Sequence, residues 1–250
     1  MKWLFALLAL LVLTAARDPI LVPDISQHEV EVRQGFTGTE LLLYGAILTP
    51  EGQRANGDYD VVVLLEGPTR PIVLREKRRV AGMWVNADSQ TLRSAPSYYA
   101  VASSRPINRI VDERTAAIYE LGLGSLQLSP TGAIDPAVQA RFASGLSQLM
   151  RKTGLYSQNE NAVTLTGGVL YRARIYLPSR VQTGIYTAET FAISHGRVVA
   201  SATSRVEVRK IGMEKAIADF ARRHGFYYGL LTVALSVGMG WVAGRLFALV

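Results

Sequence analysis

The chain has 250 residues, with 27 Lys and Arg against 20 Asp and Glu, a net charge of +7 and a pI near 9.8. Its 49% apolar and 19% charged content excludes both a polytopic membrane protein and a disordered chain, and the lack of cysteine excludes disulfides, thiolate metal sites and cysteine nucleophiles. With Lys2 and Arg245 set aside, 25 bases face 20 acids, spread thinly except for the run Arg75, Lys77, Arg78 and Arg79; membrane headgroups are the simplest partner for that excess, and nothing calls for nucleic acid.

The first sixteen residues carry one charge, Lys2, before the apolar run Trp3 to Leu13, and end in Thr14-Ala15-Ala16. This is the layout of a secretory signal over residues 1–16, with small residues that suit a cleavage site after Ala16. Eleven residues rise only ~16 Å as a helix, about half a bilayer core, so the run is too short to span.

From residue 17 to 210 period-2 patterns dominate, and a β domain is expected. His28-Glu29-Val30-Glu31-Val32-Arg33 alternates, with Val30 and Val32 inward. Glu40 to Leu48 and Asp60 to Leu65 are continuous apolar runs bounded by turn residues, as in strands central to a sandwich. After Gly67-Pro68-Thr69-Arg70-Pro71, strands are expected at Ile72 to Arg75, Val80 to Val85 and Tyr98 to Ser103. The period then changes, and residues 106–153 read as a helical hairpin inserted into the β domain. Ile110, Val111, Ala117, Ile118 and Leu121 mark one helix; Val138, Phe142, Leu146, Leu149 and Met150 mark a second, capped by Asp135-Pro136 and ended by Gly154.

Strands resume at Tyr171 to Leu177 and Ile185 to Ile193, with His195-Gly196 as a tight turn into Val198 to Val208. Gly184 and Tyr186 fit a tyrosine corner, which points to an immunoglobulin-like sandwich, although no Cys or strand-C Trp pattern accompanies them.

Residues 211–225 read as an amphipathic juxtamembrane helix, with Met213, Ile217 and Phe220 on one face. Phe226 to Gly244 is 19 residues without a charge, a length of roughly 28 Å that matches the hydrocarbon layer, so 226–245 reads as a transmembrane helix. Phe226, Tyr227, Tyr228 and Trp241 sit where interfacial aromatics belong, and Arg245 can snorkel. Arg222 and Arg223 precede the helix and only Arg245 follows, which by the positive-inside tendency favours a cytoplasmic, tail-anchored domain. The signal segment favours the opposite arrangement, because long domains translocate largely regardless of charge. The expectation is a single-pass protein of a bacterial inner membrane with its domain in the periplasm. Ser236, Gly240 and Gly244 recur every four residues and mark a face that admits a partner helix, from a second copy or a transporter subunit; Ala234 and Gly238 form an offset pair.

The segments Asp24-Ile25-Ser26-Gln27-His28-Glu29-Val30, Gly35-Phe36-Thr37-Gly38-Thr39-Glu40-Leu41-Leu42-Leu43-Tyr44-Gly45-Ala46, Met83-Trp84-Val85-Asn86-Ala87-Asp88 and Tyr99-Ala100-Val101-Ala102-Ser103-Ser104-Arg105-Pro106 resemble a family of alphaproteobacterial transmembrane proteins of unassigned function. The resemblance covers nearly the whole chain, including the C-terminal helix. It brings no catalytic residues; it implies a place beside membrane transport, next to a permease of the sulfite-exporter type.

No catalytic or metal-binding constellation is expected, and no cofactor. His28, His195 and His224 are far apart in sequence and lack ligand spacing, and Asp58/Asp60 and Asp112/Glu113 read as solvated pairs. Gly122-Leu123-Gly124-Ser125 matches no phosphate loop or nucleophile elbow. The run Arg75, Lys77, Arg78, Arg79 has two readings, an anion or headgroup contact and a charged hairpin that keeps a strand edge from pairing. The expected function is a non-enzymatic, membrane-anchored interaction module, accessory to a transporter. The alternative is an anion- or solute-binding accessory of an exporter, using Arg172, Arg174 and the same run.

Overall fold

A computed structural model describes residues 18–247 except 34, 56, 133 and 134, so the signal segment lies outside the described residues. The described chain divides into two units, one of residues 18–30 and 37–208, the other of 31–36 and 209–247.

The first unit is built on β4 (Asp60–Glu66), whose residues Val61 to Leu65 are all buried. A strand alternates its side chains, so burial of every residue requires cover on both faces. On one side lies the sandwich partner, a four-stranded sheet in the order β1 (Ile20–Ile25), β3 (Gly38–Leu48), β11 (Leu170–Pro178), β10 (Val163–Thr166). β4 itself belongs to a six-stranded sheet in the order β2 (Glu29–Val32), β13 (Arg197–Lys210), β12 (Gly184–Ser194), β4, β7 (Tyr99–Ser103), β9 (Tyr156–Asn159). The alternation in β11 sends Tyr171, Ala173, Ile175 and Leu177 inward and leaves Arg172, Arg174 and Tyr176 outside. Two tyrosine hydroxyls tie the sheets: Tyr98 donates to the carbonyl of Tyr176 at 2.8 Å, and Tyr171 reaches Thr190 at 3.5 Å.

The outer face of β4 is covered by the segment between β7 and β9. Val62 and Leu64 join Tyr99, Val101, Phe191 and Ile193 in a second core with Ile107, Ile110, Ala116 and Leu121. The first expected helix is two short ones here, α1 (Ile107–Ile110) and α2 (Glu113–Ile118). Asp112 breaks the run by capping α2, accepting from the Thr115 amide at 2.9 Å. The second is continuous as α3 (Pro136–Lys152), with Asp135 accepting from the Ala137 amide at 2.8 Å and Pro136 in the first turn. Tyr99 staples the glycine linker: its hydroxyl accepts from the Gly122 amide at 3.2 Å and donates to the Glu120 carbonyl. This segment also spans the crossover that lets β9 run parallel to β7.

A third sheet pairs β5 (Thr69–Val80) with β6 (Met83–Pro96), and β6 with the short β8 (Ser129–Pro130). Here the structure corrects a strand expected at Val80 to Val85: the chain reverses at Ala81 and Gly82, at φ 47° and 85°, making one long hairpin arm. Both φ values are positive, as a tight hairpin turn of matching twist requires. The second unit holds α4 (Met213–Arg223) and α5 (Gly225–Phe247).

Tyr186 is fully buried, and its hydroxyl donates to the carbonyl of Gln182, four residues back, at 2.8 Å. Tyr186→Phe is expected to lower unfolding stability by about 1 kcal/mol, one net hydrogen bond, with little change in the slope of a denaturant titration. An unchanged midpoint removes this bond from the list of what holds the β11–β12 corner.

Candidate functional site

The basic run lies in β5 on the hairpin arm, and strand alternation splits it. Register places Glu76 opposite Asp88 and Arg78 opposite Val85 on one face, and Arg75 opposite Ser89, Lys77 opposite Asn86 and Arg79 opposite Trp84 on the other. A bulge at Ala87 holds this parity, since the extra residue sits in β6 and leaves β5 regular.

The first face is turned to α3. Ile72 and Leu74 pack at the base of the arm against the cluster of Leu92, Ala95, Leu128 and Leu146, with Ala143 and Met150. Farther out, Glu76 and Asp88 face each other across the hairpin, a pairing that repels unless cations intervene. Two do. Arg78 lies 3.0 Å from Asp88 and 3.9 Å from Glu76; Arg141 of α3 lies 3.1 Å from Glu76 and 3.4 Å from Asp88. Arg78 is thereby committed to holding the arm, and the sequence run loses one of its four cations as a ligand.

The second face carries Arg75, Lys77 and Arg79, all exposed, beside Ser89, Asn86 and Trp84, with no acid among them. Arg79 also donates to the Gly82 carbonyl at 3.3 Å, which positions it over the turn. Trp84 is 69% exposed and Met83 67%, so the arm ends in large apolar side chains open to solvent.

The remaining residues singled out from sequence are dispersed. Arg172 and Arg174 project from the outer face of the four-stranded sheet, whereas Arg75 to Arg79 belong to the arm. His28 lies 3.7 Å from Asp24, and His195 occupies the turn between β12 and β13 at φ 49°. Asp60 is bound by Arg105 and accepts from Ser104 at 2.8 Å; the Arg105 hydrogen bonds hold its carboxyl below the usual range. Asp58, Asp60, Arg105, Arg109, Asp112 and His195 line an open cleft of about 910 Å³ at one end of the sandwich. Its charges are mixed, and two of its acids are already used, Asp60 by Arg105 and Asp112 as a helix cap.

A site that sequence reasoning missed gathers Glu66, Glu120 and Glu189 in a cleft of about 440 Å³, beside Leu64, Tyr119 and Phe191. Three residues so far apart in the chain share no sequence signal; only the β4–β12 pairing and the covering helices bring them together. Burial pushes the Glu66 carboxyl up to about 7, helped by the negative charges of Glu120 and Glu189.

In the second unit, α5 is the one helix among the described residues long and apolar enough to cross a membrane, over Gly225–Arg245. Phe220, His224, Tyr227 and Tyr228 form an aromatic cluster at its start, with centroid separations of 5.5 to 6.4 Å, and Arg245 stacks over Trp241 at 5.5 Å. Ser236, Gly240 and Gly244 lie along one side, and among the described residues nothing stands within 4 Å of where a Cβ would sit at either glycine.

A family model described as "Putative transmembrane protein (Alph_Pro_TM)" matches residues 20–248. The chain belongs to this family. No curated protein matches it. Family membership and the α5 span together make this a membrane protein with a mainly β body.

The Glu66 cleft gives a pH signature. The folded state holds this proton to a higher pH than the unfolded chain, whose glutamate ionises near 4.5, so the contribution of Glu66 to stability is fully present below that value and is lost as pH rises through about 7. Glu66→Gln removes the ionisation. Above pH ~8 it is expected to stabilise by about 1 to 2 kcal/mol, allowing for water in the open cleft, and near pH ~4 to change little. Thermal unfolding of both proteins across that range reads the difference; parallel curves would mean that Glu66 ionises freely.

Proposed function

We propose that this family member is a non-enzymatic interaction module held at the bacterial inner membrane by α5, with its β domain in the periplasm, accessory to a membrane transporter. The observation that carries this reading is the hairpin arm, which extends a row of cations and an apolar tip while α3 fixes its other face through Arg141. A surface held rigid and left uncovered suits binding, because little order remains to be imposed when a partner arrives.

The body suits an immunoglobulin-like sandwich, a common scaffold for recognition. The order β1-β3-β11-β10 facing β2-β13-β12-β4-β7 supports that reading, as does the Tyr186 hydroxyl on a carbonyl four residues upstream at the start of β12. In these terms the arm and α1 to α3 are additions placed between the usual strands.

Two experiments test the reading. Alkaline phosphatase fused after Val208 is expected to be active in cells and a cytoplasmic reporter at the same point silent; the reverse pattern establishes the tail-anchored arrangement. In the membrane, Gly240→Leu keeps α5 apolar but fills the face of Ser236, Gly240 and Gly244. It is expected to abolish crosslinking through this helix, to a second copy or a transporter subunit, while membrane localisation persists. Unchanged crosslinking would make α5 a tether alone.

A further inference from the structure

The two faces of the arm differ in what their charges have left to do. On the α3 side, Arg78 and Arg141 are matched by Glu76 and Asp88, two cations to two anions. On the other side, Arg75, Lys77 and Arg79 recur at every second residue, so all three point the same way, about 7 Å apart along the strand. Their cross-strand neighbours are Ser89, Asn86 and Trp84, none able to neutralise them. The row ends at Trp84, level with Arg79, and the turn beyond it is narrow, with open space around a Cβ at Gly82.

A row of unmatched cations ending in an exposed tryptophan has the chemistry of the bilayer interface. Anionic headgroups attract the Arg and Lys side chains, and the indole favours the boundary between headgroups and acyl chains. An acidic protein surface would match the cations but would leave the apolar tip without a reason. The chain is already held to a membrane by α5, and a tether lowers the translational freedom that a second, weak surface contact within its reach has to give up. We propose that the arm face formed by Arg75, Lys77, Arg79 and Trp84 docks on an anionic lipid surface, with Trp84 at the interface and Arg78 serving only to hold the arm. The proposal rests on the membrane-anchored half of the reading above and is independent of which side of the membrane the domain occupies.

The cysteine-free sequence allows a direct test on the full chain. Asn86→Cys, opposite Lys77 on the docking face and labelled with a fluorophore sensitive to polarity, is reconstituted through α5 into vesicles of phosphatidylcholine alone or with one part in three of phosphatidylglycerol. The expected result is a blue-shifted emission, quenched by brominated lipid, in the anionic vesicles and not in the neutral ones. Molar salt should reverse the shift, since it shortens the screening length to about 3 Å. Each cation contributes about fivefold to such a contact, so replacing Arg75, Lys77 and Arg79 together by Gln should weaken the docked state by about a hundredfold. Trp84→Ser should weaken it with the cations intact, whereas Arg78→Gln should leave the headgroup dependence in place.

A label that stays in water in both vesicles overturns the proposal, as does a shift equal in both and indifferent to the triple substitution. A shift that grows with protein per vesicle, and not with the anionic share, assigns the face to a second copy instead. Unchanged thermal unfolding of the triple variant shows that its loss is not one of folding. Failure of the reporter fusions would leave these vesicle results standing, and failure here would leave the topology standing.

Discussion

The two-sided burial of β4 is the constraint on which the rest depends. Val61, Val63 and Leu65 face the sandwich, and Val62 and Leu64 face α1 and α2. At about 1.5 to 3 kcal/mol for each large apolar side chain removed from water, leaving the outer face bare would forfeit much of the domain's net stability. The helical segment is therefore part of the core, not an ornament on it. The consequence reaches the acid cleft, because covering this face carries Glu120 on its left-handed turn, φ 51°, to the margin of the sheet where Glu66 and Glu189 already lie.

The same segment continues into α3, which carries the arm. Its inner stripe, Phe142 and Leu146, is buried, while Arg141 on its flank reaches the carboxylates of the hairpin. One continuous run of chain thus closes the second core and then stiffens the extension. Long two-stranded ribbons are marginal alone. This one is held at its base by apolar packing and farther out by ion pairs, and only its last residues are free of both.

Much of this was legible from residues alone wherever a side chain's parity or spacing decides its environment. The apolar run at β4, the inward set of β11, the Asp135-Pro136 cap, the His195-Gly196 turn and the apolar α5 follow from local pattern. β1 escaped because Pro23 argues against a strand; it is tolerated on a sheet edge, where no ladder bond is asked of its nitrogen on one side. β9 escaped because Ser157, Gln158 and Asn159 carry no apolar alternation, and its pairing with β7 spans the whole insertion. Ala81 is a weak turn signal, so the reversal that makes the arm was read through as strand. The basic run was visible in the sequence, but its division into holding and free cations was not, since Arg141 arrives from a helix more than sixty residues on. The acid cleft had no local signature at all.

The strand order also sets when the protein can become itself. In the six-stranded sheet the last two strands made, β12 and β13, lie between β2 and β4, so the earliest and middle parts of the chain meet only through the latest. β4 has no neighbour on that side until residue 187 is in place, and β2 none until residues near 207. Such long-range pairing is slow, and its loop entropy must be met before the contacts that reward it form. A chain interrupted before β13 therefore leaves apolar strand edges open, which makes it a substrate for aggregation or proteolysis rather than a smaller working domain. The final strand ends only a short helix before α5 begins, so little chain separates the strand that closes the sheet from the span.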